Sequence, residues 1–444
     1  MTYSSHLLAG GLRASGALIA VLVLAPTVPA SAQWPQWGGP QRDFTVETSG
    51  LVDSWPESGP PKLWQRELGD GYSSVVAEDG VLYTMYRKER TDDNEYTVAL
   101  DAATGKTIWS YQHASPVPDD GRQFPGPNTT PLISGDLLYT VGRNAVMHCY
   151  NKKDGKVLWR HDLATEFGAV LPGWGYSSSP IAYQDLVIAA IGTRVIERPE
   201  GAPEETDAGP KSTPNGPARS LIAFDRETGK VVWKSQDFGF RFSSPILINF
   251  AGKEQLIALP QGAIVSVDPA NGELLWRYPL SEDEGHVATP LWNGEDLLFC
   301  GTGQRSRVIK LTQANGKTVP EELWVSRKIG LGLATPVRIA DLVVAPKGGQ
   351  VPLLLGVDLR TGKRVWVQRG FAETTLVEGD GKVILLDQRG QLALATATPE
   401  GITVHSTWQI PEWSAETFTA PTLVGKTLYV RDRKHIMALN LGTG

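Results

Sequence analysis

Side chains able to do covalent or metal chemistry are few in this chain and badly spaced for it. The two cysteines, Cys149 and Cys300, are far apart, and His286 has no partner at metal-ligand spacing. Neither His148 nor His161 belongs to a His-x-x-x-His or Cys-x-x-Cys cluster, so no metal site is expected. The acidic runs Asp92-Asp93-Asn94-Glu95 and Glu204-Glu205-Thr206-Asp207 do not follow a calcium loop. Nucleophile elbow, phosphate-cradling loop and Cys-x-x-Cys-His haem site are all missing, and Gly330-Leu331-Gly332-Leu333 is no dinucleotide fingerprint. What remains is a set of aromatic and charged residues: Tyr72, Phe124, Trp174, Tyr176, Arg241, Phe242, His286, Glu373, Glu416 and Phe418, joined by Arg143, Lys347 and Arg389 in turns. Aromatic platforms beside Arg, His and Glu suit a planar or anionic ligand, a sugar, or a peptide edge.

The elements that would position these residues are set by an internal repeat. A unit of small-Leu-Asp, a short turn, Gly-Lys and Trp runs from Ala99-Leu100-Asp101 to Trp109 and from Cys149-Tyr150-Asn151 to Trp159. It returns at Asp225 to Trp233, Asp268 to Trp276 and Asp358 to Trp366, with degenerate copies ending at Trp324 and Trp408. A second landmark, a Ser/Thr pair usually followed by Pro, recurs at Ser73-Ser74, Thr129-Thr130-Pro131, Ser178-Ser179-Pro180, Ser243-Ser244-Pro245, Thr289-Pro290, Thr335-Pro336, Thr374-Thr375 and Thr419-Ala420-Pro421. Short β-rich runs bounded by Gly and Asp lie between. Trp64 lacks a preceding Asp-Gly turn, whereas the stretch around Leu439 has the turn but no Trp. An N-terminal strand completing the last blade reconciles the two, and the fold class is all-β: an eight-bladed β-propeller of four-stranded blades. The repeated Asp, Gly and Trp are structural: Asp caps the turn, Gly supplies positive φ, and Trp seals neighbouring blades.

The Asp-x-x-Thr-Gly-Lys-x-x-Trp repeat with its Ser-Ser-Pro lead-ins resembles the quinoprotein-like (pyrroloquinoline-quinone repeat) propeller family over roughly residues 60–444. That family includes pyrroloquinoline-quinone alcohol dehydrogenases and the propeller lipoprotein of the outer-membrane barrel-assembly machinery, which is similar in size and blade count. The dehydrogenase branch carries a vicinal Cys-Cys pair and long cofactor-covering insertions, and neither is present here. The lipoprotein branch is anchored through an N-terminal cysteine that this chain lacks. The opening Trp34-Pro35-Gln36-Trp37-Gly38-Gly39-Pro40 also looks like the start of many exported propellers of this type.

Residues 1–32 read as a signal peptide, with Arg13, the apolar run 17–24 and an Ala30-Ser31-Ala32 cleavage site. The expected organisation is this leader, an N-terminal extension over 33–59, and the propeller over 60–444, periplasmic or secreted after cleavage near Ala32. Removal of Arg13 with the leader leaves 41 basic against 48 acidic residues, a net charge near -7. That balance argues against nucleic acid, and no apolar stretch is long enough for membrane insertion. A monomer is expected, with Cys149 and Cys300 as separate buried thiols.

If each Ser/Thr pair begins an innermost strand, the lead-in loops and the turns between second and third strands share one face. The Asp-Gly turns lie on the other. Irregularity gathers on the first face: 21 residues separate Trp109 from Thr130 and 20 separate Trp159 from Ser179, against 11 from Trp233 to Ser244. The largest insertion, 192–219, and a smaller one, 87–95, belong there too. Elaborated loops on a rigid scaffold are where binding resides. The expectation is therefore a non-catalytic binding propeller engaging a protein or saccharide through this face, with no cofactor. The alternative is a pyrroloquinoline-quinone-dependent alcohol or sugar oxidoreductase using calcium, for which Glu373 and Glu416 are the obvious donors.

Overall fold

The computed structural model describes Met1 and residues 33–117, 124–171, 173–192, 220–239, 242–281, 284, 287–348, 351–414 and 416–443. The leader, most of the 192–219 insertion, Arg241 and His286 lie outside the described residues.

Apolar strands too short to bury themselves singly come together here as eight radial antiparallel sheets. Blade 1 contains the strands Val76–Glu78, Val81–Tyr86, Asn94–Asp101 and Thr107–Ala114, running from the axis outward. Blades 2 to 7 span 132–162, 181–235, 246–279, 291–326, 337–369 and 375–409. Blade 8 takes three strands from 422–440 and its outermost one, Lys62–Glu67, from the N-terminal region. Lys62 pairs with Leu439 and Trp64 with Ala438, so the ring closes where the sequence places it. Middle strands such as Val81–Tyr86 are buried on both faces, whereas outer strands such as Thr107–Ala114 alternate.

The repeat motif locks each blade to the next. The indole N–H of Trp64 donates to the carbonyl of Ala102 (2.9 Å), that of Trp109 to Lys152 (2.9 Å), and that of Trp159 to Arg226 (3.1 Å). Trp233 and Trp324 repeat the bond to Pro269 (3.2 Å) and Leu359 (2.8 Å). Each acceptor is the residue after the Asp or Asn that opens the next blade's turn. The turn glycine therefore has two duties. Gly229 holds φ +69°, and a Cβ there would meet the Trp159 ring at 2.7 Å, so only glycine lets the indole lie flat on the turn. Trp276 departs from the pattern because blade 5 turns through Asn315-Gly316 with open space around the glycine; its N–H goes instead to Gln255 Oε1 in its own blade (2.8 Å).

The Ser/Thr pairs form a girdle around the axis. The N–H of Ser74 donates to Thr130 Oγ1, that of Thr130 to Ser179 Oγ (3.0 Å), and that of Ser179 to Ser244 Oγ (2.9 Å). Thr289 and Thr335 repeat the bond at 3.0 Å. Donors that no ladder partner satisfies are thereby satisfied blade to blade.

The segment 34–48, expected as an extension outside the propeller, is its axial plug. Trp34 exchanges both backbone hydrogen bonds with Ala77 of blade 1, and the Pro35 carbonyl accepts from Ile133 of blade 2. Arg42 reaches Ser179 and Pro180 of blade 3, and the Trp37 indole donates to Thr289 of blade 5 (2.8 Å). Thr45–Val46 then adds a parallel strand to blade 7, and Thr48 bonds the Gly425 carbonyl of blade 8 (2.8 Å). Gly38, at φ +73°, makes the reversal possible: a Cβ there would meet the Arg42 backbone at 2.7 Å. Both cysteines are buried and free, and burial pushes their thiols up to about 12.

Candidate functional site

On the face of lead-in loops and second-to-third-strand turns, the plug leaves a cavity of about 140 Å³ at the axis. Its composition follows from one position, the residue immediately before each inner-strand Ser/Thr pair or its equivalent. At this position Tyr72, Phe242 and Phe418 are aromatic, Val287 and Leu333 aliphatic, and Asn128 and Ser177 small and polar; all seven line the cavity. The eighth, Glu373 at φ +42°, instead turns its carboxylate onto the Leu333 N–H (3.2 Å).

The two small positions belong to blades 2 and 3, whose lead-in loops are long. Those loops return Phe124 and Trp174 to the space left open by Asn128 and Ser177. Five rings thus form a continuous wall: Phe418 to Tyr72 at 6.2 Å between centroids, Tyr72 to Phe124 at 6.0 Å, Phe124 to Trp174 at 5.2 Å, and Trp174 to Phe242 at 5.5 Å. Every ring is half-buried, presenting one side to the cavity. Trp37 of the plug lies in the lining too.

Buried charge supports the wall from behind. Arg87 and Glu95, both fully buried, pair at 2.8 Å, and Glu95 accepts the Arg143 backbone N–H. The Arg143 guanidinium in turn holds the carbonyls of Phe124 and Gly173, fixing both long loops; Asn128 Nδ2 adds a bond to the Trp174 carbonyl (2.7 Å). At the other end Arg433 forks onto Asp70 and lies 5.5 Å over the Tyr72 ring. Burial raises the Tyr72 phenol above its ordinary value, opposed by Arg433.

The structure therefore brings together Tyr72, Phe124, Trp174, Phe242 and Phe418. It places Tyr176 elsewhere: the side chain is fully buried in blade 3, with its hydroxyl on the Ala190 carbonyl (2.8 Å). Arg389 and Glu416 form an exposed ion pair at the rim (3.9 Å), and Lys347 ends a blade 6 strand; none of the three lines the cavity. Arg241 and His286 fall outside the described residues. Sequence reasoning missed Asn128, Ser177, Ser179, Ser244, Val287, Leu333 and Trp37. A strict alignment of the eight lead-ins on their Ser/Thr pairs yields all but the plug tryptophan.

An eight-bladed propeller with tryptophan-sealed blades and an axial funnel defines the class, a quinoprotein-like propeller. Within it, the chain belongs to the family described as outer membrane protein assembly factor BamB, whose model matches residues 52–198 and 93–368. The BamB of Moranella endobia is 22% identical over 334 residues, covering 73% of this chain and 77% of that protein. A quinoprotein ethanol dehydrogenase of Pseudomonas aeruginosa is 28% identical over 244 residues, but the match spans 54% of this chain and only 28% of the enzyme. Among solved structures, BamB from Moraxella catarrhalis superposes with a TM-score of 0.59 at 12% identity, over 86% of this chain and 97% of that one, a likeness of fold alone.

Proposed function

We propose that this chain is a non-catalytic binding propeller that takes a segment of a protein partner into the axial funnel, after export, in the assembly of outer-membrane proteins. The observation that carries the reading is the five-ring wall. Half-buried aromatics held rigid by buried ion pairs offer large apolar area at little further ordering cost, which is what recognition of an extended segment needs. The role in assembly comes from the name its BamB relatives bear and rests on the family, not on the funnel.

Quinone chemistry asks for a different lining. A tricarboxylic quinone held with a divalent cation needs cationic side chains and at least one free carboxylate at the axis. The described lining offers hydroxyls, an amide and apolar groups. The two carboxylates best placed by sequence are engaged, Glu373 on the Leu333 N–H and Glu416 with Arg389. The residues described do not fit that cofactor, and no catalytic step is derived through it.

The test is calorimetric titration of the full chain with 12-residue peptides copied from transmembrane strands of an outer-membrane barrel protein. Binding in the micromolar to millimolar range is expected, weakened at least about tenfold in Trp174→Ala/Phe242→Ala. Unchanged affinity in the double variant overturns the placement. A shifted absorbance spectrum and alcohol-dependent dye reduction on adding pyrroloquinoline quinone and calcium overturn the non-catalytic reading.

A further inference from the structure

The funnel lining also carries a different chemistry. The lead-ins of blades 3 and 4, which supply Trp174 and Phe242, add the hydroxyl residues Ser177, Ser179 and Ser244. Immediately behind Ser179 sits Arg42, 2% exposed, carried there by the plug. Its guanidinium donates to the carbonyls of Ser179 (3.3 Å) and Pro180 (3.0 Å) and to Gln36 Oε1 (3.2 Å). Among the described residues no carboxylate lies within ion-pair distance of it, and its Nε has no partner. On the same face the buried Arg87 and Arg307 each pair with a carboxylate, and Arg431 has Asp70 and Asp432 close by. Among the described residues Arg42 has only neutral dipoles as partners, and burial lowers its guanidinium to about 9.

The cavity wall contributed by the same lead-in carries a second unused donor. Ser177 Oγ is shut off from solvent and has no hydrogen-bond partner, although its residue lines the cavity. A buried cation without a counter-ion behind the Ser179 backbone, with an orphan hydroxyl two residues earlier in the same cavity-lining segment, is an arrangement that an incoming anion completes: the charge is already desolvated, so little of its interaction is lost to water.

We propose that the serine-lined part of the funnel is a carboxylate subsite, and that the bound protein segment presents an apolar side chain to the aromatic wall with a carboxylate beside it. The inference rests on the funnel being the binding site and adds the sign of charge it selects. Apolar contact with five rings holds the segment, while Arg42 and Ser177 set its register. Arg42 acts across the Ser179 backbone and is a positioning residue, whereas Ser177 meets the ligand by turning its hydroxyl toward the cavity that its residue lines. A plug that carries the selecting charge also gives residues 34–48 a role beyond bonding to six blades.

The experiment uses the full chain and three synthetic peptides of one length: acetyl-Gly-Phe-Gly-Trp with a free carboxylate terminus, acetyl-Gly-Phe-Glu-Trp-amide, and acetyl-Gly-Phe-Gly-Trp-amide. Calorimetry should show the acidic peptides binding at least about tenfold more tightly than the neutral one, and whichever acidic form binds better tells a chain terminus from an internal acid. Ser177→Ala, which cannot disturb the buried guanidinium's own bonds, should reduce that preference, and Arg42→Gln should abolish it while the neutral peptide binds as before. Equal affinity of acidic and neutral peptides overturns the subsite and leaves the funnel reading standing. A preference that survives in Arg42→Gln overturns the role of the plug. No binding of any peptide overturns the funnel reading itself, and the subsite with it.

Discussion

The two faces of the disc are built from the same strands and obey different rules. On the Asp-Gly face the same bonds recur in blades 1, 3 and 6: Asp101, Asp225 and Asp358 each accept from the N–H and hydroxyl of the Thr three residues on, at 2.7–2.8 Å and 2.6–2.7 Å. On the lead-in face only blades 4 and 8 agree. The equivalent position is tyrosine, asparagine, serine, phenylalanine, valine, leucine, glutamate and phenylalanine in turn. A residue that must do one structural job in every blade repeats, and one that contributes a different part of a single shared site does not. Repetition therefore marks the scaffold and its failure marks the site, so changes on the first face should cost stability and changes on the second should cost binding.

The strongest challenge to that division is Trp159, buried between blades 2 and 3 and pressed on Gly229. Trp159→Ala should lower stability by about 3–5 kcal/mol, read as the shift of the urea midpoint, with peptide affinity unchanged in the protein that stays folded. A binding loss as large as the stability loss would break the comparison. The next effect belongs to the seam between blades 1 and 2, where aromatic and ionisable groups replace aliphatic packing. His148 is 2% exposed, stacked near His113 (4.7 Å), Tyr111 and Tyr150, and facing Arg160; burial first, then His113 and Arg160, lower its pKa to about 3. The folded state thus refuses a proton that the unfolded chain accepts near 6.5. The stabilisation is complete above that pH and declines as pH falls toward 3, by about 2 kcal/mol between pH 7 and pH 5. In His148→Phe the slope of the urea midpoint over that window should flatten.

Legibility in the sequence follows the same line. Eight tryptophans and their turns state the blade count redundantly, so the degenerate copies at Trp324 and Trp408 and the split last blade did not obscure it. Ring closure was legible because Trp64 and the Leu439 stretch each lacked what the other supplied. The axial plug was not, because residues 34–48 have no repeat to align with and are placed by scattered bonds to six different blades. The funnel was half legible. Tyr72, Phe242 and Phe418 directly precede a Ser/Thr pair or its equivalent, so their aromatic character stands out. Tyr176 precedes its pair by two residues, and that one extra step turns the ring into the core of blade 3, where Ser177 takes the place facing the axis. The doubled role of the turn glycines also went unseen, since the indole that forbids a Cβ comes from another repeat.

Smaller effects sharpen the contrast. Asp225→Ala removes two short bonds to Thr228 and the anchor of the turn under Trp159. The expected cost is about 1.5 kcal/mol by urea denaturation, with no change in peptide binding. The same turn hydrogen bonds hold the Asp225 carboxyl below its usual range, so this contribution is present at neutral pH and is lost as pH falls through the lowered value.

Phe418→Ala should be the gentlest change to the fold and the most informative about the site. The ring stands at the end of the wall, half-buried, with Tyr72 as its aromatic neighbour at 6.2 Å. Losing one ring pair at an exposed rim costs about 1 kcal/mol or less. Because the wall is continuous, the ligand loses contact with one ring in five, and affinity should fall about threefold to tenfold, less than for Trp174→Ala at the centre. A graded loss from Phe418 inward to Trp174 is what one shared surface produces, whereas an equal loss at every ring would mean that the substitutions act by loosening the lead-in loops rather than by removing contact.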